Sequence, residues 1–334
     1  MTKEIYHPLS NRYENGMEYR RCGKSGVVLP KISLGFWHNF GGVDSYENCE
    51  AIARHAFDHG VCHFDLANNY GPPYGSAEET FGHMMDKCFR SLRNELFISS
   101  KAGYDMWPGP YGNWGSRKYL ISSLDQSLMR MHLDYVDLFY SHRFDPQTPI
   151  EETLQALVDI VRSGKALYAG ISNWPADESR KAFAYLAERD VPCLIYQGKY
   201  NIIDRFHAEP GGVLEACAGN GVGFIAFSPL CQGILTDRYL HDIPADSRAG
   251  HGRLSRSELL TEESLAKVRR LNEMALRRGQ TLAEMALTWV HSDPRVTSLI
   301  VGASSVRQLE TNLKAVSAAA LSPEELAEIA EIMK

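Results

Sequence analysis

Short apolar runs alternate along the chain with longer segments whose apolar positions repeat every three or four residues. Short runs of this kind are typical of buried strands, and the longer repeat is typical of amphipathic helices. Strands are predicted near residues 32–35, 63–65, 96–101, 135–142, 166–171, 193–197, 223–228 and 296–302. Helices are predicted near residues 45–59, 76–85, 116–131, 151–162, 175–188, 210–218, 261–277, 281–291, 306–316 and 323–332.

Strands that alternate with helices are typical of parallel sheets, because each helix carries the chain back to the start of the next strand. The eight strands predict an α/β fold in which one (β/α)8 TIM barrel spans residues 1–334 as a single domain. Residues 17–30 have the pattern of an N-terminal β-hairpin, and the last helices are C-terminal additions. A doubly wound open sheet is the alternative, but the first strand lacks a following Gly-x-Gly-x-x-Gly.

Polar residues lie at or just after the ends of the predicted strands. They are Asp65, Lys101, His142, Ser172, Asn173, Gln197 and Ser228. The carboxyl ends of barrel strands share one face, and active sites are built on that face. Residues 230–257 form the longest irregular stretch, and a loop of this length in a compact domain is usually functional. The sequence therefore predicts an active site at this face.

Composition excludes some classes of function. Hydrophobic residues make up 44% of the chain and charged residues 23%, which is typical of a globular protein with a large core. The formal net charge is -6 and no basic stripe is present, so we expect no nucleic-acid partner.

The pattern of cysteines and apolar runs indicates the cellular compartment in which we expect the protein. The seven cysteines are scattered without a Cys-x-x-Cys motif, which favours reduced thiols in a cytosolic protein. The first 15 residues lack the apolar core of a signal peptide. No run of about 18 apolar residues occurs, so we expect a cytoplasmic protein with no membrane partner.

Four residues near the strand ends suit proton transfer to a carbonyl oxygen. They are Asp65, Tyr70, Lys101 and His142. An ammonium near a phenol lowers the phenol pKa, so we expect Lys101 to make Tyr70 a better acid. Asp65 would hold Lys101 charged, and His142 would hydrogen-bond the carbonyl oxygen. This set suits general acid catalysis at a carbonyl that receives a hydride.

Two other interpretations remain open from the residues alone. Lys101 could be the nucleophile of a Schiff-base aldolase or isomerase, although this leaves Ser172, Asn173 and Gln197 without a role. His55 and His59 lie one helical turn apart, as two metal ligands would. No third ligand accompanies them in the sequence pattern, so we expect no metal site.

The chain resembles the aldo-keto reductases from residue 17 to about residue 312. The motifs that carry this resemblance are His63-Phe64-Asp65 with Tyr70-Gly71, Ser100-Lys101, Ser141-His142, Gly170-Ile171-Ser172-Asn173, Gln197, Phe227-Ser228-Pro229-Leu230 with Gly233, and Gly302-Ala303-Ser304 with Gln308 and Asn312. The sequence is most similar to the bacterial branch that reduces L-glyceraldehyde 3-phosphate and methylglyoxal, a relative of the voltage-gated potassium channel β subunits.

The resemblance implies reduction of small aldehydes or ketones with NADPH. It implies Tyr70 as the proton donor, Lys101 with Asp65 as its tuning pair, and His142 as the residue that orients the carbonyl. The implied cofactor contacts are Trp37, Asp65, Tyr70, Ser172, Asn173, Gln197, Phe227, Ser228, Pro229, Leu230, Gln232, Gly233, Arg238, Arg248, Gly302, Ser304, Gln308 and Asn312. Among them, the aromatic ring of Phe227 is expected to stack on the nicotinamide.

The 2′-phosphate of NADP requires cations, and the resemblance assigns this role to Arg238 and Arg248. Arginine forks match phosphate geometry. Ser304 and Gln308 are expected to add hydrogen bonds near the phosphate. These assignments predict a preference for NADPH over NADH.

The expected substrate contacts are Trp37, Tyr70, Trp107, His142 and Arg143. Arg143 follows the catalytic histidine, and we expect it or a loop arginine to meet a substrate phosphate. Related proteins assemble as tetramers or octamers, so a homo-oligomer is expected. A regulatory subunit of the channel β type with weak turnover is a further alternative, but those subunits carry asparagine where this chain has His142.

Overall fold

The computed structural model of the chain describes residues 6–245, 247, 249–250, 252, 254 and 257–334. Its strands are β1 (Tyr19–Arg21), β2 (Val28–Pro30), β3 (Ile32–Gly35), β4 (His63–Asp65), β5 (Phe97–Ala102), β6 (Val136–Ser141), β7 (Ala166–Ser172), β8 (Cys193–Lys199), β9 (Gly223–Phe227) and β10 (Val296–Val301). Its α-helices are α1 (Tyr46–Asp58), α2 (Ser76–Met84), α3 (Arg117–Met131), α4 (Ile150–Arg162), α5 (Ala176–Ala187), α6 (Val213–Asn220), α7 (Glu262–Arg277), α8 (Leu282–Ser292), α9 (Val306–Leu313) and α10 (Pro323–Ile332).

Eight parallel strands close into a barrel in the order β10-β3-β4-β5-β6-β7-β8-β9. The predicted barrel is therefore confirmed. The predicted hairpin is confirmed as well, because β1 and β2 form a separate antiparallel pair. The Arg20 guanidinium ties this hairpin to the barrel through hydrogen bonds to the carbonyl oxygens of Val296 (2.9 Å) and His291 (3.1 Å).

Side-chain caps set the starts of several helices close to the predicted positions. Ser45 and Ser116 accept hydrogen bonds from the backbone of α1 and α3, as N-cap residues do. α8 begins at a capping box in which Thr281 and Glu284 bond reciprocally. Satisfying these otherwise unpaired amides fixes where each helix can begin.

Three predicted helices differ from the structure at their ends. α6 begins at Val213 rather than at residue 210, because two glycines precede it and Gly211 has a left-handed φ of 76°. α2 ends at Met84 and continues as a π-helical turn, Met85–Phe89. α9 ends at Leu313 and continues as a 3₁₀ turn, Lys314–Val316.

The barrel interior has an apolar part and a polar part. Five of its apolar side chains come from β6, β8, β9 and β10, and they are Leu138, Tyr140, Ile195, Ile225 and Ile300. Cys22 and Leu29 of the hairpin belong to the same cluster, so the hairpin seals one end. The polar part comes from β10, β3, β4 and β5, and it contains the fully buried Ser298, Ser33, His63 and Ser99.

No helix among the described residues is both long enough and apolar enough to pass through a bilayer.

Gly170 of β7 is required by close packing inside the barrel. A Cβ atom at this position would lie 2.6 Å from the Tyr140 ring and 3.0 Å from the carbonyl oxygen of Ile195. We therefore expect Gly170→Ala to lower the free energy of unfolding by about 1–3 kcal/mol, the usual cost of overpacking. Urea denaturation followed by circular dichroism measures this change.

Gly219→Ala is the matched control, because Gly219 lies in α6 and a Cβ there would meet nothing within 4 Å. We expect this change to raise the free energy of unfolding by about 0.5–1 kcal/mol, since alanine loses less entropy in a helix. Equal effects of the two substitutions would contradict the packing argument.

Candidate active site

A cleft of about 750 Å³ opens at the carboxyl ends of the barrel strands. Its lining includes sixteen of the residues expected from the sequence, namely Trp37, Asp65, Tyr70, His142, Asn173, Gln197, Phe227, Ser228, Pro229, Leu230, Gln232, Gly233, Arg238, Gly302, Ser304 and Gln308. These residues come from strand ends and loops that are far apart in the sequence. The barrel therefore brings most of the expected site together.

Asp65 and Lys101 form a buried ion pair at the floor of the cleft. The Lys101 Nζ lies 2.6 Å from Asp65 Oδ2 and donates a second hydrogen bond of 2.6 Å to the carbonyl oxygen of Leu66. The other carboxylate oxygen accepts hydrogen bonds from Ser99 Oγ (2.7 Å) and Gln197 Nε2 (2.9 Å). Lys101 has no exposed surface and Asp65 is 2% exposed, so each charge depends on the other.

Tyr70 lies beside this pair and lines the cleft together with Asp65. The Lys101 ammonium is 5.0 Å from the centre of the Tyr70 ring, and the ring of His142 is 5.9 Å from it, edge to face. Tyr70 follows β4, and His142 directly follows β6, so two strand ends place them. The four residues expected to take part in proton transfer are thus grouped at the floor of the cleft.

The pKa of Tyr70 departs from the sequence-based expectation. Burial raises the pKa of Tyr70 well above its usual value, and the negative charge of Asp65 adds to this effect. We expected the Lys101 ammonium to lower it. The reason for the difference is that Asp65 already compensates this ammonium, so the loss of water dominates at the phenol.

His142 is a neutral imidazole in this environment. Burial lowers the pKa of His142 well below its usual value, and the charges of Lys101 and Arg143 lower it further. Within the described part of the chain, its Nδ1 atom is buried without a hydrogen-bond partner. A neutral imidazole keeps one N–H, which can donate a hydrogen bond to an oxygen in the cleft.

One wall of the cleft carries amide and hydroxyl groups held in strained backbone. Asn173 and Ser228 have left-handed φ angles of 55° and 51°, which non-glycine residues adopt at a cost. The Asn173 side chain donates to the carbonyl oxygen of His142 (3.1 Å) and to Ser172 Oγ (3.1 Å). Ser172 itself is fully buried and lies behind the cleft lining.

The far end of the cleft lies against the start of α9. Gln308 Oε1 accepts hydrogen bonds from the backbone N–H of Ser304 (2.7 Å) and from its hydroxyl (2.9 Å). Asn312 does not line the cleft, but it is 2% exposed and its Nδ2 has no partner among the described residues. Arg238 lines this cleft, whereas the expected Arg248 lies outside the described residues.

Trp107 and Arg143, two expected substrate contacts, do not line the cleft. The Arg143 guanidinium donates to the carbonyl oxygen of Gly103 (2.8 Å) and to Asn113 Oδ1 (2.6 Å). It lies 4.4 Å from the Tyr104 ring centre and 3.5 Å from that of Trp114. Arg143 therefore helps to hold the loop after β5 in place, because its Nε and one terminal nitrogen donate to that loop.

Sequence reasoning missed part of the lining. These residues are Gly35, His38, Asn39, Val43, Asp44, Asn69, Gly71, Pro72, Tyr104, Thr236, Tyr239, Ile300 and Val301. Most of them lie within a few residues of an expected one. Their position in the loops that follow the strand ends was therefore the feature of the sequence that could have identified them. Tyr104 has a particular role, because its ring packs edge to face on His142 at 4.8 Å.

The histidine pair considered as a metal edge lies on α1. His59 Nδ1 is 2.8 Å from the carbonyl oxygen of His55, and His55 Nε2 is 3.6 Å from Glu310. Among the residues that the structure describes, no group of three or more His, Cys, Asp or Glu side chains could hold a metal ion.

Known proteins are similar to this chain over nearly its whole length. The sequence profile of the Aldo/keto reductase family matches residues 31–334. A protein of Escherichia coli O157:H7 named L-glyceraldehyde 3-phosphate reductase is 56% identical over 317 residues, covering 94% of this chain and 91% of that protein. An Arabidopsis thaliana protein named probable voltage-gated potassium channel subunit beta is 36% identical over 310 residues, covering 90% and 91%.

Solved structures agree with these sequence relatives. A crystal structure of a thermostable aldo-keto reductase, in complex with the inhibitor epalrestat, is similar with a TM-score of 0.73 and 31% identity. The similarity covers 95% of this chain and 100% of that one. The family resemblance in the motifs is thus confirmed, and the chain belongs to the aldo/keto reductase family of oxidoreductases.

Proposed function

We propose that this protein reduces small aldehydes to alcohols with NADPH, and that Tyr70 is the proton donor. The observation that carries the proposal is the grouping of Tyr70 and His142 in the cleft, directly above the buried Asp65–Lys101 pair. A phenol and a neutral imidazole can both donate hydrogen bonds to one carbonyl oxygen. The cleft lining extends from this point to Ser304 and Gln308 at the start of α9.

The residues along the cleft fit a nicotinamide dinucleotide phosphate. Asn312 lies one helical turn after the lining residue Gln308 on α9, and its buried side-chain N–H₂ group has no partner in the described part of the chain. Arg238 also lines the cleft, as do the polar side chains of Ser304 and Gln308 at the start of α9. Asn173 and Gln197 would hold the carboxamide, and Phe227 would stack on the nicotinamide ring.

Bound NADPH would supply the hydride, and the residues of the chain would manage the proton. Tyr70 would donate the proton of its phenol to the carbonyl oxygen as that oxygen gains charge. Its raised pKa keeps the phenol protonated at neutral pH, so the donor is loaded before the reaction. His142 would hold the same oxygen through its N–H, and Lys101 would stabilise the phenolate that remains.

The proposed substrates are small aldehydes such as L-glyceraldehyde 3-phosphate and methylglyoxal. A relative that is 56% identical carries the name L-glyceraldehyde 3-phosphate reductase, which supports this substrate class. Arg143 was expected to meet the substrate phosphate, but its contacts with Gly103 and Asn113 argue against that role.

A Schiff-base mechanism fits less well. A nucleophilic lysine must reach the substrate carbonyl, but Lys101 is fully buried and donates to Asp65 and Leu66. A regulatory role of the channel β type is favoured by one observation, the 36% identity with a protein of that name. His142 lines the cleft beside Tyr70, and this arrangement favours turnover instead.

We expect Tyr70→Phe to lower kcat for methylglyoxal by about 10²–10⁴-fold, because the general acid is lost. The affinity for NADPH is expected to stay within about twofold, since the ring remains in place. NADPH absorbance measures kcat, and quenching of protein fluorescence measures binding. Tyr74→Phe is the matched control, because this exposed tyrosine lies on the same loop outside the cleft lining. Equal activity of Tyr70→Phe and wild type would contradict the assignment.

We expect Arg238→Ala to weaken NADPH binding by about tenfold to a hundredfold, the usual worth of a charged hydrogen bond. NADH binding is expected to change little, because NADH lacks the 2′-phosphate. Titration of both cofactors by fluorescence makes the comparison. Arg277→Ala is the control, since Arg277 is paired with Glu328 on α10, outside the cleft lining. Parallel weakening of both cofactors would contradict a role at the phosphate.

A further inference from the structure

A continuous row of hydrogen bonds crosses the polar part of the barrel interior and ends on the carboxylate of Asp65. Ser298 Oγ lies 2.6 Å from the carbonyl oxygen of Pro30 and 2.7 Å from Ser33 Oγ. Ser33 Oγ lies 2.8 Å from His63 Nδ1, and His63 Nε2 lies 3.1 Å from Ser99 Oγ. Ser99 Oγ then donates to Asp65 Oδ1 at 2.7 Å. We call these residues the interior chain.

The order of the strands in the barrel makes the interior chain possible. Ser298, Ser33, His63 and Ser99 come from β10, β3, β4 and β5, which are consecutive neighbours. Side chains alternate along a strand, so His63 points to the same side as Asp65, and Ser99 to the same side as Lys101. The interior chain therefore lies one layer below the Asp65–Lys101 pair.

The number of available hydrogen atoms limits which group can donate in each contact of the interior chain. Its five contacts require five hydrogen atoms, but three hydroxyls and one neutral imidazole supply four. Burial lowers the pKa of His63 to about 4, so the ring is neutral at pH 7. One contact must therefore lack its hydrogen when Asp65 is ionised.

The charge of Asp65 decides which contact lacks the hydrogen. A hydrogen next to a carboxylate is stabilised more than one far from it, so Ser99 donates to Asp65. His63 then donates from Nε2 to Ser99, and Ser33 donates to His63 Nδ1. Ser298 is then left with one hydroxyl hydrogen for two contacts, one with Ser33 Oγ and one with the carbonyl oxygen of Pro30. The carbonyl oxygen of Lys31 also lies within 3.3 Å of this hydroxyl.

We propose that His63 and Ser99 are positioning residues that hold the Asp65 carboxylate oriented toward Lys101, and through it keep Lys101 cationic. This inference rests on the proposed proton transfer by Tyr70. Asp65 Oδ1 has two donors, Ser99 and Gln197, and each stabilises the charged form of the carboxylate. Without Ser99, one of the two donors that fix the carboxylate is lost, so the carboxylate can turn away from Lys101 and its attraction for the ammonium falls.

The direction of the expected pH effect follows from the groups around Lys101. The titratable groups facing it are Asp65 and His63 from β4, Tyr70 from the following loop, Glu78 from α2, Tyr140 from β6 and His142 just after β6. Asp65 and Glu78 favour the ammonium, and burial opposes it. Weakening the attraction between the Asp65 carboxylate and the Lys101 ammonium therefore lowers the pH at which Lys101 loses its proton.

The test is the pH profile of kcat for methylglyoxal reduction in the Ser99→Ala variant of the full chain with NADPH. We expect the basic limb to move down by about one pH unit, which is a tenfold loss of activity at high pH. KM for NADPH is expected to stay within about twofold, because Ser99 does not line the cleft. The ¹⁵N resonance of Lys101 in lysine-labelled protein is expected to titrate at correspondingly lower pH.

Paired substitutions at His63 separate positioning from packing. His63→Gln retains an amide donor, so it is expected to keep a profile close to that of wild type, whereas His63→Phe is expected to shift it as Ser99→Ala does. Ser123→Ala is the control for loss of a buried hydroxyl, because Ser123 is fully buried on α3. It is expected to leave both readouts unchanged.

The outcomes distinguish this inference from the proposed function. If Ser99→Ala lowers the urea midpoint but leaves the pH profile and the Lys101 resonance at their wild-type positions, the interior chain is only structural and the inference is overturned. If wild type does not oxidise NADPH with any aldehyde, the proposed function fails. The Lys101 titration then still decides whether Ser99 acts on the ion pair.

Discussion

The contact between the Asp65 carboxylate and the Lys101 ammonium is the constraint on which the site depends. Removing either partner would leave a charge in a region without water, which costs about 3–5 kcal/mol in comparable buried pairs. The barrel meets this constraint by surrounding the pair with hydrogen bonds. Ser99 and Gln197 donate to the carboxylate, and the carbonyl oxygen of Leu66 accepts from the ammonium. A pair held this tightly has one geometry. The Tyr70 ring packs beside the ammonium, so the fixed pair also restricts the position of that ring.

Strand register explains why this contact forms. Asp65 of β4 pairs with Ser99 of β5, and Lys101 of β5 pairs with Tyr140 of β6. A shift of one residue in either pairing would turn the charged side chains away from the barrel interior. Gly170 has a supporting role, because its missing side chain leaves room for the Tyr140 ring near the ammonium. The arrangement of the candidate site thus depends on the packing of the barrel.

The alternation of strands and helices predicted the barrel, because short apolar runs and a repeat of three or four residues are local properties of the sequence. Polar residues at strand ends predicted Asp65, His142 and Gln197 for the same reason. The interaction of Arg143 with Trp114 could not be predicted, since it depends on how a loop folds back across the barrel mouth. The raised pKa of Tyr70 could not be predicted from the sequence either, because the depth of burial is a property of the whole fold.

Under the proposed function, the distribution of charge along the cleft would separate the region for chemistry from the region that anchors the cofactor phosphate. Around Tyr70, Asp65 balances Lys101, burial keeps His142 neutral, and Arg143 is held outside the cleft lining. A region without net charge and with little water strengthens each hydrogen bond to a carbonyl oxygen that gains negative charge. Arg238 is exposed in the lining contributed by the loop after β9, where a phosphate can keep part of its hydration. Placing that cation on a water-exposed loop avoids burying it, so the barrel interior needs to hold no further charge pair.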